Sequence, residues 1–498
     1  MEVTLLVTSD IHGYIRGTNE LTGEATADGF ARVATYIKKR KKIDPNLILI
    51  ENGDFLEGSM LANTLATHQD KWSIHPFIQL VNQLNYDSTV PGNHEFNYGI
   101  NYLKKALKGL NAPYLAANIV LENGETCWEA YQIVERKGIR IAIVGLVTSY
   151  VTRWEKVENI KGLRFLDPIL TAKKWVPFIQ ETEQPDLIVL AYHGGLERDL
   201  VTGEATEYMT GENVGYRLAT EIPGINGVIT GHQHRTLAGA VNGVPLLQPG
   251  TRGASIGEMI FELQQKEQKW HVKSAKAQTI SLASEKEDTA VLKEIEEWEH
   301  LSANDRKKPI IKGLDSVEPD AYQFLHKVQK VASRRKISVV SLVKSSVGST
   351  ALTMEMILQN YTFPCTFAIL RFTGQELKHL IIKGRDYYQL NQAGRLSPYK
   401  LGRDEQTENE LIDGLTYRFY FDSKSDSYLV ELVDVADDEL IELSFNHYLG
   451  ALNGERVIGM EKIIQEIMIY MPDLIREYQL EECVAIPVHG QGFYPEIS

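Results

Sequence analysis

Short apolar runs alternate with helical stretches along the first half of the chain. Val3–Thr8, Leu47–Glu51, Ile139–Val147, Leu187–Ala191 and Gly227–Thr230 read as strands, followed by Val244–Gln248 and Gly257–Leu263. Gly29–Lys41, Trp72–Leu84, Ile100–Leu107 and Pro168–Glu181 carry the apolar spacing of helices. Strands apolar throughout, set between helices, predict a β core covered on both faces. Polar residues collect where these strands end. Ser88–Val90 runs into Pro91-Gly92-Asn93-His94-Glu95-Phe96-Asn97-Tyr98-Gly99, a loop with two amides, an imidazole and a carboxylate within five residues. Asp10 and His12, Asp54, His193, and His232 and His234 stand just past four other strands. A lone residue of this kind caps a turn or helix more often than it binds a ligand, and Asn97 is placed to cap the helix after it. Five strand ends bearing metal-type ligands reverse that reading, because open α/β sheets form their sites outside the carboxyl ends of strands.

Ser284–His300 is charged and helical, with Val291, Leu292, Ile295 and Trp298 on its apolar side, and reads as a helix between domains. Beyond Gly313 a second α/β pattern begins. Helices are expected at Pro319–Ala332, Leu352–Gln359 and Ile458–Tyr470, and a strand then a helix within Thr366–Lys383. Strands are expected at Ile337–Leu342, Thr416–Phe421, Tyr428–Val433 and Glu439–Phe445. No internal repeat is expected. The divisions are 1–283, a linker helix at 284–312, and 313–498.

Composition narrows the picture. A chain of 498 residues exceeds one core, so two or three domains are expected. A net charge of −14 speaks against a nucleic-acid polymer as partner. The densest basic run, Lys38–Lys42, ends a helix, where cations suit the dipole, and reads as solvated. Three widely separated cysteines argue against disulfides and for a reducing compartment. The start, Met1–Asp10, lacks a basic region, and no run approaches the ~18 apolar residues of a membrane span. A cytoplasmic protein with no membrane partner is the expectation, with its oligomeric state open.

The strand-end donors are oxygen and nitrogen, with no thiolate. Carboxylates mixed with imidazoles suit Mn, Zn, Fe or Co. So many ligands are too many for one ion and suit two, with Asp54, alone on its loop, as the natural bridge. Two cations about 3.5–4 Å apart form a clamp for displacement at phosphorus. A histidine outside the ligand set can then assist the leaving oxygen. The residues do not say which histidine that is.

Asp10-Ile11-His12, Gly53-Asp54, Gly92-Asn93-His94-Glu95, His193 and Gly231-His232-Gln233-His234 resemble, in order and spacing, the five blocks of the calcineurin-like metallophosphoesterases. The longer context is similar to the 5′-nucleotidase and 2′,3′-cyclic-nucleotide phosphodiesterase/3′-nucleotidase family. The stretches NGDFLEGSML, SIHPFIQLVNQLNYDSTVPGNHEFNYG and EIPGINGVITGHQHR carry that likeness. It implies an α/β protein: an N-terminal metallophosphoesterase domain, with a two-layered β core flanked by helices, joined to a smaller α/β substrate domain. It implies that Asp10, His12, Asp54 and His234 hold one metal, and Asp54, Asn93, His193 and His232 the other. It assigns His94 to the leaving oxygen. Many 5′-nucleotidases of the family have Asp where this chain has Asn97, which orients an imidazole but supplies no charge. The phosphodiesterase branch resembles this chain there, tilting the expected substrate toward a 2′,3′-cyclic or 3′-phosphate.

In the second half the resemblance puts Phe363 and Tyr448 on either side of a base, although each also suits ordinary packing. The family's asparagine- and arginine-bearing glycine-rich motif is replaced by SLVKSSVG, with Lys344 its only cation. After the second ring stands Leu452-Asn453-Gly454 instead of glycine-aspartate. The expected function is hydrolysis of nucleotide phosphoesters by in-line attack of a metal-bound water. The rivals are a phosphatase for another small phosphoester and a non-catalytic nucleotide-binding or scaffold protein. His68 and His75, flanking a helix start, read as capping or surface residues. Ser345 and Ser349 lack the partners of a serine hydrolase.

Overall fold

The computed structural model describes residues 1–20, 23–207 and 209–307. Farther along it describes 326, 329–331, 333–342, 367–384, 388–390, 396–398, 409–422, 427–445 and 463–467. Two compact units divide the chain, Met1–Ala303 and Asn304–Ser498.

Among the described residues the first unit has thirteen strands: β1 (Glu2–Thr8), β2 (Ile48–Glu51), β3 (Ser88–Thr89), β4 (Ile119–Leu121), β5 (Tyr131–Arg136), β6 (Ile139–Val147), β7 (Leu163–Phe165), β8 (Leu187–His193), β9 (Gly227–Ile229), β10 (Thr236–Val241), β11 (Val244–Pro249), β12 (Ser255–Lys266) and β13 (Lys269–Ser281). One sheet runs β13-β12-β1-β2-β3 and the other β10-β11-β9-β8-β6-β5, while β4 and β7 pair separately. β1, β2 and β3 are mutually parallel, as are β6, β8, β9 and β11.

The two-residue period of the strands builds the layers. Val3, Leu5 and Val7 of β1 join Leu187, Val189 and Ala191 of β8 in a core between the sheets. On the opposite faces, Leu6 packs with helix Phe30–Ile43, and Ile188, Leu190 and Tyr192 pack with Pro168–Thr182. The result is a four-layered sandwich, helix-sheet-sheet-helix, as the doubly buried strands predict. Helix starts are marked by capping chemistry. Ser59 accepts from Ala62 N, and Asp167 accepts from Leu170 N ahead of Pro168. His75 accepts from Phe77 N ahead of Pro76, so this helix begins at Pro76 rather than Trp72. His75 is fully buried, with Nε2 2.9 Å from Tyr102 Oη.

Three features depart from the sequence reading. Helix Thr289–Arg306 buries Val291 and Ile295 in the outer core of the first unit. Lys38, Lys39 and Arg40 pair with Asp288, Glu285 and Glu258, and Lys41 donates to Leu84 O, so the basic run is ion-paired in part as well as solvated. One short repeat exists: Thr-Gly-Glu-Ala-Thr occurs at 22–26 and at 202–206. The alanine of each copy forms an antiparallel bridge, Ala25 with Thr18 and Ala205 with Arg198.

In the second unit, strands Ile337–Leu342, Phe367–Thr373, Asn409–Asp413, Leu440–Phe445 and Ile463–Ile467 form one sheet. Helix Gly374–Gly384 supplies Leu377 and Ile381 to its core. Ile463–Ile467 was expected to be helical. Its apolar spacing fits either period, and antiparallel pairing with Phe367–Leu370 settles it as a strand. Phe363, Lys344, Tyr448 and Leu452–Gly454 lie outside the described residues. Among the described residues no helix is long and apolar enough to cross a membrane.

Candidate metal centre

The carboxyl ends of β1, β2, β3, β8 and β9 converge. Asp10 and His12 follow β1, Asp54 follows β2, Asn93 and His94 follow β3, His193 ends β8, and His232 and His234 follow β9. The loops turn hard. Asp10, His12, Asp54, His232 and His234 all take positive φ, between 54° and 71°. Such left-handed conformations are uncommon outside glycine and gather where surrounding structure holds them for a function. Gly92 permits a close approach: a Cβ there would overlap Asp54 Oδ1.

Glu95 ties two of these loops together. Its Oε2 accepts from Asp54 N at 2.8 Å and Gly92 N at 2.6 Å. Its Oε1 accepts from Phe55 N at 2.8 Å and Leu56 N at 3.1 Å. A buried carboxylate can saturate four amides in this way.

Two groups of potential ligands result. Ligand atoms of Asp10, His12 and His234 lie within 4.8 Å of one another, as do those of Asp54, His193 and His232. Asp54 Oδ2 lies 3.8 Å from His12 Nε2 and 3.1 Å from His193 Nε2, reaching toward both groups. Nε2 of His12 and of His234 are 2.9 Å apart. Asn93 Oδ1 is 2.8 Å from His232 Nδ1. The far ring atoms are anchored: His12 Nδ1 donates to Glu57 O, and His193 Nδ1 to Asn52 O. His232 Nε2 meets Glu212 Oε1 at 2.9 Å, and Trp154 stacks on its ring. Backing by a carboxylate or carbonyl is how metal-binding imidazoles are oriented.

The donor set fits divalent cations. Asp54 Oδ2 and His193 Nε2 are buried and lack a well-directed hydrogen bond, although they face each other as an ion contact. Buried polar atoms of this kind are costly without a partner. Burial pushes Asp54 upward, but His193, His94 and His12 outweigh it and hold it well below the usual carboxylate range. Burial opposes a proton on His193, yet Asp54 and Asp10 retain it and push the ring up to about 10. Burial drives His234 down to about 3. A proton on His193 thus occupies a place that a cation suits better.

His94 sits beside this cluster. Its backbone N donates to Asp54 Oδ1 at 2.8 Å, and its Nδ1 meets Asn97 Oδ1 at 2.7 Å. Glu57 Oε2 is 3.4 Å from the same Nδ1, and burial lifts Glu57 to about 8. Burial opposes a proton on His94, but Asp54, Glu57 and the Asn97 contact prevail and raise its affinity for one. Asn97 Nδ2 donates to Glu155 Oε2 at 2.7 Å.

All nine residues proposed from the first half therefore meet in one cluster. Glu57, Glu95, Glu155, Glu212 and Trp154 were not anticipated. Glu95 lies in the polar loop itself, but nothing in its spacing separates a clamp from a ligand. Glu57 stands three residues after Asp54, within the NGDFLEGSML stretch, but its spacing gives it no role, and Glu155, Glu212 and Trp154 come from distant segments and carry no local signal.

The calcineurin-like phosphoesterase family profile matches residues 3–236. The chain is 25% identical over 489 residues to the trifunctional nucleotide phosphoesterase protein YfkN of Bacillus subtilis, covering 84% of this chain and 32% of that protein. It is 33% identical over 306 residues to a 2′,3′-cyclic-nucleotide 2′-phosphodiesterase/3′-nucleotidase of Yersinia enterocolitica, covering 56% and 45% respectively. The chain thus spans less than half the length of either relative. A Staphylococcus aureus structure, provisionally described as a 5′-nucleotidase, superposes with a TM-score of 0.68 at 25% identity, covering 98% of both chains.

Proposed function

We propose that this chain, whose residues 3–236 match the calcineurin-like phosphoesterase profile, hydrolyses small nucleotide phosphoesters, with 2′,3′-cyclic and 3′-phosphates as first candidates. The observation that carries the proposal is the pairing of two ligand groups with an adjacent histidine in one cluster. Asp10, His12, Asp54 and His234 would hold one cation, and Asp54, Asn93, His193 and His232 the other. The oxygen and nitrogen donors suit Mn, Zn, Fe or Co. Such cations neutralise phosphoryl oxygens and lower the pKa of water.

The chain's own residues supply the rest. The Asn97 amide oxygen accepts from His94 Nδ1, which assigns that ring proton and directs Nε2 to the reaction. A second proton, favoured by Asp54 and Glu57, makes the ring an acid. His94 Nε2–H then gives that proton to the departing ribose oxygen. Glu95 keeps the loops of Asp54 and Asn93 in register. Similarity to relatives named as nucleotide phosphoesterases supports the substrate class.

Purified protein with Mn²⁺, assayed against bis-p-nitrophenyl phosphate and a panel of 2′,3′-cyclic, 3′- and 5′-nucleotides, tests the proposal. Turnover highest on the cyclic or 3′ members is expected. No turnover on any member overturns it and favours a binding protein. The three widely separated cysteines support a cytoplasmic location. Recovery of the protein outside the cytoplasm on fractionation overturns that part.

A further inference from the structure

The contacts around His94 continue beyond Asn97. Asn97 presents two unlike ends: Oδ1 faces His94 Nδ1 at 2.7 Å, and Nδ2 faces Glu155 Oε2 at 2.7 Å. An ionised carboxylate only accepts. It can therefore face only the NH2 end of the amide, which leaves the oxygen for the imidazole. That oxygen also only accepts, so His94 Nδ1 must carry the proton. Glu57 Oε2, 3.4 Å from the same nitrogen, favours the proton there too, so Glu155 fixes the amide that the ring meets while Glu57 adds to the same preference.

Glu155 is built for this task. It is 8% exposed and caps helix Val151–Trp154. Its other oxygen accepts from Asn159 Nδ2 at 2.7 Å and Lys156 N at 2.8 Å. Asn159 Nδ2 also donates to Asn97 O at 2.9 Å, tying both segments at a second point. The single 3-10 turn His94–Phe96 brings residues 94 and 97 to one side. Every group facing the Glu155 oxygens is a donor, so the carboxylate has one orientation.

We propose that Glu155 is a positioning residue for His94, acting through the Asn97 amide to hold the proton on His94 Nδ1. Without it the amide can turn over, offer NH2 to the ring and move the proton to Nε2. The effect on turnover rests on the phosphoesterase reading above. The effect on the ring does not.

The test therefore has two arms. Protein labelled with ¹⁵N-histidine and loaded with Zn²⁺ is examined by NMR, with the His94 ring signals assigned by their loss in His94→Gln. Wild type is expected to show a protonated Nδ1. Glu155→Gln and Asn97→Ala are both expected to shift the population toward Nε2–H. Asn97→Ala also serves should Glu155→Gln fold poorly. Kinetics on bis-p-nitrophenyl phosphate form the second arm. Glu155→Gln is expected to lower kcat ~10–100-fold, the scale on which partners that orient a functional imidazole act, with KM nearly unchanged. The double variant Asn97→Asp/Glu155→Gln puts an acceptor-only group next to the ring and is expected to recover most of both signals. An unchanged tautomer in Glu155→Gln, or a double variant no better than the single one, overturns the proposal. Absence of turnover in wild type defeats the phosphoesterase reading, while the NMR arm still decides the role of Glu155.

Discussion

Asp54 and His94 are neighbours in one cluster, yet their loss should remove different things. Asp54 Oδ2 reaches toward both ligand groups, at 3.8 Å from His12 Nε2 and 3.1 Å from His193 Nε2. Asp54→Ala is expected to lose both cations, and elemental analysis showing two ions per chain would contradict the bridge. His94 donates from its backbone N to Asp54 Oδ1 and sets its ring edge-on to that of His12, but lies in neither ligand group. His94→Ala should keep both cations and lose ~10²–10⁴-fold in turnover, the usual worth of a positioned acid. His75 carries a different prediction at this scale. Burial drives its ring down to about 3, below the ordinary 6.5. The unfolded chain therefore takes up this proton first as pH falls. Stability from neutral His75 is complete above pH 6.5 and is lost progressively toward pH 3. Between pH 7 and pH 5 this one ring should withdraw about 2 kcal/mol. Hydrogen exchange of helix Pro76–Leu84 measures it, and His75→Asn should flatten that dependence.

Loops, more than strands, carry the site's shape. Five ligand residues in left-handed conformations cannot all be relaxed, and at Asp54 the Glu95 clamp opposes that relaxation. Glu95→Ala leaves the amides of Asp54, Phe55, Leu56 and Gly92 without their acceptor. At about 1–3 kcal/mol for each buried group left unsatisfied, the cost exceeds that of losing a single ligand's contacts. Cations should be lost as well, although Glu95 is no ligand, and elemental analysis of the folded fraction checks this. The strand ends were legible because each ligand stands just past an apolar run, as Asp10 does after Val3–Thr8. Which histidine stays outside the ligand set was not legible from the residues, since His94 differs from His232 only in partners that the fold brings. Glu155 reaches Asn97 across 58 residues, and no local pattern announces such a contact. Ile463–Ile467 was misread for the same reason, because its period was decided by a strand about a hundred residues earlier in the chain.

The first unit is closed on its outer face by helix Thr289–Arg306 and the acidic segment before it. Two kinds of contact hold this strap. Lys38 pairs with Asp288 and Arg16 with Glu299, but these side chains are partly exposed, and such pairs are worth about 0–1 kcal/mol. Ile295 is fully buried, and removing such a side chain costs about 2–5 kcal/mol. Apolar packing should therefore dominate. Ile295→Ala is expected to lower the first unit's thermal midpoint by several degrees, and Lys38→Ala to leave it nearly unchanged. Equal effects would reverse the ranking. The buried contact of Asp54 Oδ2 with His193 Nε2, where a proton stands in for a cation, has a consequence for how long the molecule survives. Those atoms make the cation-free fold costlier to hold. A cation present at a hundred times its dissociation constant adds about 2.7 kcal/mol of stability. Chains made under metal starvation should open more often and be degraded sooner, so metal supply would govern the amount of this protein in a cell as well as its rate.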